Sequence, residues 1–227
     1  MATSGSPQVN QCKKPAGWLG RLLLRNMNSR HSKVTDWGLS HVSIQKNDTV
    51  LDVGCGGGRT VSKLAAIATE GKVYGVDHSP ESIAVASITN KRWIDLARVE
   101  IREGSVSQLP FSQEIFDLVT AVETHFWWPK LPADLREVLR VLKPGGTLII
   151  VAEVYAGAKT RTAKLAEKYL PLSGMVLLSV NEHRELLEKA GYSDVQIIEE
   201  PGKGWICALG RKPSVPGTSS SNDAFNR

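Results

Sequence analysis

Two stretches of this chain carry side chains and backbone of the kinds that do chemistry. In TVLDVGCGGGRT, residues 49–60, an apolar run ends on Asp52-Val53 and meets Gly54, Gly56, Gly57 and Gly58 before helical composition resumes. Glycine brings backbone close to a ligand with no Cβ in the way, and the amides at the following helix start favour a phosphate or carboxylate. In VETHFWWPKLP, residues 122–132, Glu123 and His125 alternate, so on an extended segment they point the same way. Histidine titrates near neutrality and is the natural base; the plainer reading is a polar side chain that bonds a ligand or a helix end. Beside it, Phe126, Trp127 and Trp128 form an aromatic run that either lines a pocket for an apolar or cationic small molecule or packs beneath the loop.

These groups need a frame. Apolar runs at TVLDV, KVYGV, RVEIRE, FDLVTAV and GTLIIVAEV are separated by helix-like segments, an order that predicts a parallel sheet with crossover helices. Ser79-Pro80-Glu81 supplies a capping hydroxyl, a first-turn proline and an early acid for one helix. Gly71 reads as the stop of the helix before it, and Gly191 as the stop of a later one. ADLREVLRVL places Leu135, Val138, Leu139 and Leu142 on one helical face, and KPGG then turns the chain into a strand over 147–154. VQIIEE and WICALGRK are joined only by PGKG, too short for a crossover, so they form an antiparallel hairpin at one edge of the sheet.

Bulk properties narrow the class. A chain of 227 residues, 41% hydrophobic and 22% charged, suits one folded core rather than a disordered or fibrous protein. Residues 1–35 hold six basic side chains (Lys13, Lys14, Arg21, Arg25, Arg30, Lys33) and no acid, more than the whole net charge of +5. The body is therefore nearly neutral, which disfavours a nucleic-acid surface. Cys12, Cys55 and Cys207 are isolated and form neither a disulfide framework nor a zinc spacing, pointing to a reducing compartment. With no long apolar run and no secretory-type N-terminus, the expected location is cytoplasmic, without stable membrane insertion.

In an open parallel sheet a ligand sits beyond the carboxyl ends of the strands. A dinucleotide fingerprint needs G-x-G-x-x-G, and Arg59 stands where its third glycine belongs. VLDVGCGGG instead resembles the first motif of class I S-adenosylmethionine-dependent methyltransferases. The resemblance runs over about residues 45–212 and includes VYGVD ending on Asp77, GSVSQLPF, FDLVTAVE, LREVLRVLKPGGTLIIVAE and the closing hairpin. It implies an α/β, Rossmann-like seven-stranded sheet, mostly parallel with an antiparallel C-terminal hairpin strand and helices on both faces. The organisation expected is a flexible tail over 1–15, N-terminal lid helices over 16–44, the methyltransferase domain over 45–212 and a flexible tail over 213–227.

The resemblance also assigns roles. Asp52 with the backbone of Gly54, Cys55 and Gly56 would hold the methionine end of S-adenosylmethionine, and Asp77 the ribose hydroxyls. His78 either packs on the adenine or is simply exposed, and Ser105 stands where many members carry Asp toward the adenine amino group, with the Val106 amide serving the ring. Glu123 would position the cofactor's ammonium group. Methyl transfer is an in-line displacement that needs no metal, and only a hydroxyl acceptor usually needs a base. His125, Glu153 and Tyr155 are the catalytic candidates, and Phe126, Trp127, Trp128 and Trp18 the substrate-binding ones. Along residues 17–42, Trp18, Leu22 and Met27 make an apolar side and Arg21 and Arg25 a basic one. That segment reads as a cover over the site, a packing helix or a contact with anionic membrane, with His31 able to reach the cofactor. VETHFWW lacks the N/D-P-P-Y/F motif of base-modifying members and the paired glutamates of arginine-modifying ones. A small-molecule acceptor is therefore expected, with S-adenosylhomocysteine as product and a monomer or homodimer as the working unit. A macromolecular acceptor and a non-catalytic binding protein are the alternatives.

Overall fold

The computed structural model describes residues 31–169 and 174–214. The N-terminal tail, residues 215–227 of the C-terminal one, Trp18 and most of the basic N-terminal segment lie outside the described residues. A helix α1 (Ser32–Leu39) leads to β1 (Thr49–Val53), followed by α2 (Arg59–Ile67), β2 (Lys72–Asp77), α3 (Pro80–Thr89), α4 (Lys91–Asp95) and β3 (Val99–Glu103). The second half runs β4 (Phe116–Val122), a single 3-10 turn His125–Trp127, α5 (Leu131–Val141), β5 (Leu142–Ala152), α6 (Arg161–Tyr169), α7 (Val180–Ala190), β6 (Ser193–Glu200) and β7 (Trp205–Arg211). The seven strands form one sheet in the order β3-β2-β1-β4-β5-β7-β6. The first five pair in parallel, and β7 runs antiparallel to both β5 and β6.

Strand alternation builds two cores from one sheet. Leu51, Val119 and Ile150 join Leu135 and Val138 of α5 and Leu187 of α7 on one face. Their neighbours Val50, Leu118, Ile149 and Val151 join Val34 of α1 and Val61 and Leu64 of α2 on the other. Each such fully buried side chain contributes about 1.5–3 kcal/mol, which is why strands covered on both faces read as continuous apolar runs rather than alternating ones. A smaller third cluster joins Phe126, Tyr155, Met175 and Ile206 with Ala163 of α6.

Local signals behave as their chemistry requires in most places. Ser79 caps α3 by accepting from the Ser82 amide, and Gly191 ends α7 in the left-handed region at φ 102. Two boundaries differ from the sequence reading. Helix α2 stops at Ile67, so Gly71 is not its cap; a Cβ there would lie 1.9 Å from the Asp48 carbonyl oxygen, and the glycine admits that chain crossing. KPGG does not precede β5 but lies within it, as a register irregularity between the Phe116↔Leu142 and Leu118↔Thr147 pairs. The strand then ends at Ala152, leaving Glu153 and Tyr155 just beyond it. Among the described residues no helix is long and apolar enough to cross a membrane.

Candidate functional site

The bend after β1 is fastened to the end of β2. The amides of Gly54 and Cys55 both donate to the Val76 carbonyl, at 2.8 and 3.0 Å, and the Gly56 amide donates to Oδ2 of Asp77 at 2.9 Å. The other carboxylate oxygen, Oδ1, accepts from the Ser79 amide at 3.0 Å. Asp77 thus holds the glycine turn and the α3 cap together while each oxygen keeps a further lone pair for a ligand. Gly54 sits at φ 73, and a Cβ on it would lie 2.1 Å from Oγ1 of Thr124. The turn and the segment after β4 therefore touch only because that side chain is missing.

Between them lies a cavity of about 230 Å³. Its walls are Val53 and Gly54 after β1, Val76, Asp77 and His78 after β2, Gly104, Ser105 and Val106 after β3, and Thr124, Trp127, Trp128 and Pro129 after β4. All four segments follow the carboxyl ends of parallel strands, where open sheets of this kind bind ligands. Five predicted cofactor residues, Gly54, Asp77, His78, Ser105 and Val106, come together here with two of the three predicted tryptophans, Trp127 and Trp128. Ser105 Oγ already accepts from the Ser107 amide at 3.2 Å, leaving one lone pair and its proton for a ligand.

Asp52 lies beneath this cavity, buried at 2% exposure, with the Thr120 hydroxyl donating to its Oδ1 at 2.6 Å. Burial pushes its carboxyl up to about 7, with the Thr120 bond opposing and the Asp77 charge adding to the rise. The Cys55 thiol is raised well above its usual range, first by burial and then by the same two acids. Neither Asp52, Cys55 nor Gly56 lines the cavity wall.

The remaining predicted residues among those described fall in three other places. Glu123, at φ 56, leaves the strand conformation, and its Oε1 accepts from the Glu153 amide. Glu153 in turn pairs with Nδ1 of His31 at 3.2 Å, both side chains about one-fifth exposed. Tyr155 is buried and bonds Glu199 through its hydroxyl, and burial followed by that acid pushes it up to about 12. Phe126 packs with Tyr155 in the third cluster instead of lining the cavity.

His125 is 2% exposed and faces His183 of α7, Nε2 to Nε2 at 3.2 Å. Nδ1 of His183 lies 2.8 Å from the Ser179 carbonyl, which can only accept, so that nitrogen carries the proton. With both rings neutral, His125 Nε2 donates to His183 and its Nδ1 is left buried without a hydrogen-bond partner. Burial lowers both histidines, His125 well below its usual range with His183 adding to the effect. The ring is not among the cavity-lining residues. Glu123 and His125 do not share a face as extended residues would, because Glu123 turns left-handed and a 3-10 turn begins at His125.

Sequence reasoning missed Thr120, Thr124 and His183. The last two owe their place to contacts 58 and 70 residues away in the chain, between His125 and His183 and between Gly54 and Thr124, and no local pattern announces them. Among the described residues no cluster of three or more His, Cys, Asp or Glu is placed to hold a metal ion.

Comparison with known proteins bears on this arrangement. Residues 51–150 match the family model described as Methyltransferase domain. Erythromycin 3''-O-methyltransferase of Saccharopolyspora erythraea is 31% identical over 163 residues, 68% of this chain and 53% of that protein. The chloroplastic 2-methyl-6-phytyl-1,4-hydroquinone methyltransferase of Arabidopsis thaliana is 28% identical over 223 residues, 95% of this chain and 63% of that one. The chain therefore spans little more than half the length of these relatives. The crystal structure of a SAM-dependent methyltransferase from Aquifex aeolicus superposes with a TM-score of 0.68 at 20% identity, covering 84% of this chain and 97% of that one, a likeness of fold.

Proposed function

The chain contains a class I S-adenosylmethionine-dependent methyltransferase domain, and from that premise we propose that the protein moves a methyl group to a small, largely apolar acceptor. The cofactor fits the residues present on one test above all: Gly54 presents bare backbone to the cavity, packed against Thr124 where a Cβ would stand, beside a carboxylate with spare lone pairs. When bound, S-adenosylmethionine supplies an electrophilic methyl on a sulfonium and leaves as S-adenosylhomocysteine. Asp77 accepts from vicinal hydroxyls of the ligand while keeping its grip on the Gly56 amide, so the turn and the ligand are ordered by one side chain. Ser105 and the Val106 backbone face the same cavity and serve a heterocycle there. Burial favours the neutral form of Asp52, and a sulfonium or ammonium bound close to the turn would draw it toward the ionised form.

Trp127, Trp128 and Pro129 form a wall that excludes water and offers ring faces, which suits an apolar or cationic acceptor. A soft or amine nucleophile reacts there by alignment alone. For a hydroxyl acceptor we assign proton removal to Glu153, which keeps a carboxylate 23% exposed beside His31, and give His125 a positioning role through its bond to His183. The observation that carries the reading is the cavity itself, which unites Gly54, Asp77 and Ser105 with an aromatic wall. The names of the two relatives, methyltransferases of erythromycin and of a phytyl hydroquinone, support a small, largely apolar acceptor.

Incubating the protein with S-adenosylmethionine and pools of hydroquinones, sterols, macrolides and amines, and measuring S-adenosylhomocysteine release, tests the proposal. Turnover with at least one pool, lost in Asp77→Ala, is the expected result. Turnover only with protein or nucleic-acid acceptors would overturn the small-molecule assignment.

A further inference from the structure

Helix α6 presents an outer face that is exposed among the described residues. Ala163 turns inward onto the third cluster, Ala166 is buried on the same side, and Glu167 reaches back to accept from the Gly157 amide. What remains outward is basic and apolar together. Arg161, Leu165 and Tyr169 are spaced four apart along one ridge, and Lys164 and Lys168 along the next. Leu165 is 58% exposed and Tyr169 53%, and Val176, next to Met175 of the same cluster, is 45% exposed. Lys159 precedes the helix, and none of these four cations makes an ion pair with an acid among the described residues. Large exposed apolar side chains normally carry a cost in water, and here they stand between uncompensated positive charges.

We propose that this face of α6 rests on an anionic phospholipid surface, with Leu165 and Tyr169 in the headgroup boundary and Arg161, Lys164 and Lys168 against lipid phosphates. The pattern of cations beside a leucine and a tyrosine is that of an interfacial helix. Other occupants fit less well. A second copy of the same face would set like charges against each other, and a nucleic acid would have no use for the exposed leucine. The inner face of α6 shares its cluster with Phe126, on which Trp127 packs, and Trp127 lines the cavity. A bilayer contact therefore brings the cavity wall close to an apolar phase. The surface assignment stands on the helix alone and does not depend on the acceptor assigned above.

Sedimentation of the full chain with vesicles tests it, using phosphatidylcholine alone and phosphatidylcholine mixed with phosphatidylglycerol. Binding to the mixed vesicles only, weakening with salt, is expected. Each cation near such a surface is worth roughly a five-fold change in partition, so Arg161→Glu/Lys164→Glu/Lys168→Glu is expected to lose at least about 100-fold. Leu165→Ser/Tyr169→Ser is expected to lose binding with less change in salt dependence. S-adenosylhomocysteine affinity and the circular dichroism spectrum are expected to match wild type in both variants, which separates a surface effect from misfolding. Equal binding to both vesicle types, wild-type binding by the charge-reversed variant, or retention on RNA without retention on lipid would each overturn the proposal.

Discussion

Replacing Asp52 by Asn isolates the cost of keeping a carboxylate buried beside the glycine turn. In the folded protein the carboxyl is pushed up to about 7 from an ordinary value of 3.8, because burial penalises its charged form. The native state holds the proton more tightly than the unfolded chain does. Between the two values the unfolded chain has lost that proton and the native state has not, so stability falls as pH rises, and the penalty is complete above about 7. The full difference corresponds to about 4 kcal/mol, of which roughly 2.5 kcal/mol develops between about pH 5 and pH 8.5. The Asn variant keeps an oxygen for the Thr120 hydroxyl and has no charge to desolvate. Urea unfolding of both proteins across that range is therefore expected to show Asp52→Asn gaining on wild type by roughly 2.5 kcal/mol toward high pH. Other titrating groups are shared and cancel in the comparison. The variant is also expected to bind S-adenosylmethionine about ten-fold more weakly at pH 8 while binding the uncharged-sulfur product with a smaller loss, about 1.4 kcal/mol being the value of a ten-fold change. A stability gap that does not change with pH would refute the reasoning.

Gly54→Ala is expected to cost roughly 2–5 kcal/mol, combining left-handed strain at φ 73 with the clash against Thr124, and Thr124→Gly in the same chain is expected to return part of it in urea unfolding. The buried His125 and His183 have lowered values, so protons bind the unfolded chain first and stability is expected to fall as pH drops below 6.5. His125→Leu/His183→Leu is expected to flatten that acid limb in unfolding curves, whatever its effect at neutral pH.

The glycine turn and Asp77 were legible because both are local: a strand, a bend and an acid at the next strand end are written in consecutive residues. The same holds for the sheet, whose buried strands announce themselves as apolar runs. The segment after β4 was harder. Reading Glu123 and His125 as alternating assumed extended backbone, whereas Glu123 takes φ 56 and the chain coils into a 3-10 turn. That turn directs Trp127 and Trp128 to the cavity and His125 away, toward a histidine contributed by α7. Similarly, KPGG carries every mark of a turn, yet pairing with β4 on both sides absorbs it as an irregularity inside β5. Tertiary contacts, not local propensity, decide such places.

Titration calorimetry with S-adenosylhomocysteine, comparing wild type with Asp77→Asn, addresses the central claim most directly. Binding by the wild type, weakened at least about 100-fold when the carboxylate that grips the turn, and in our proposal the ligand hydroxyls, loses its charge, is the expected result. Heat absent from the wild type, or an affinity unchanged in Asp77→Asn, would contradict it.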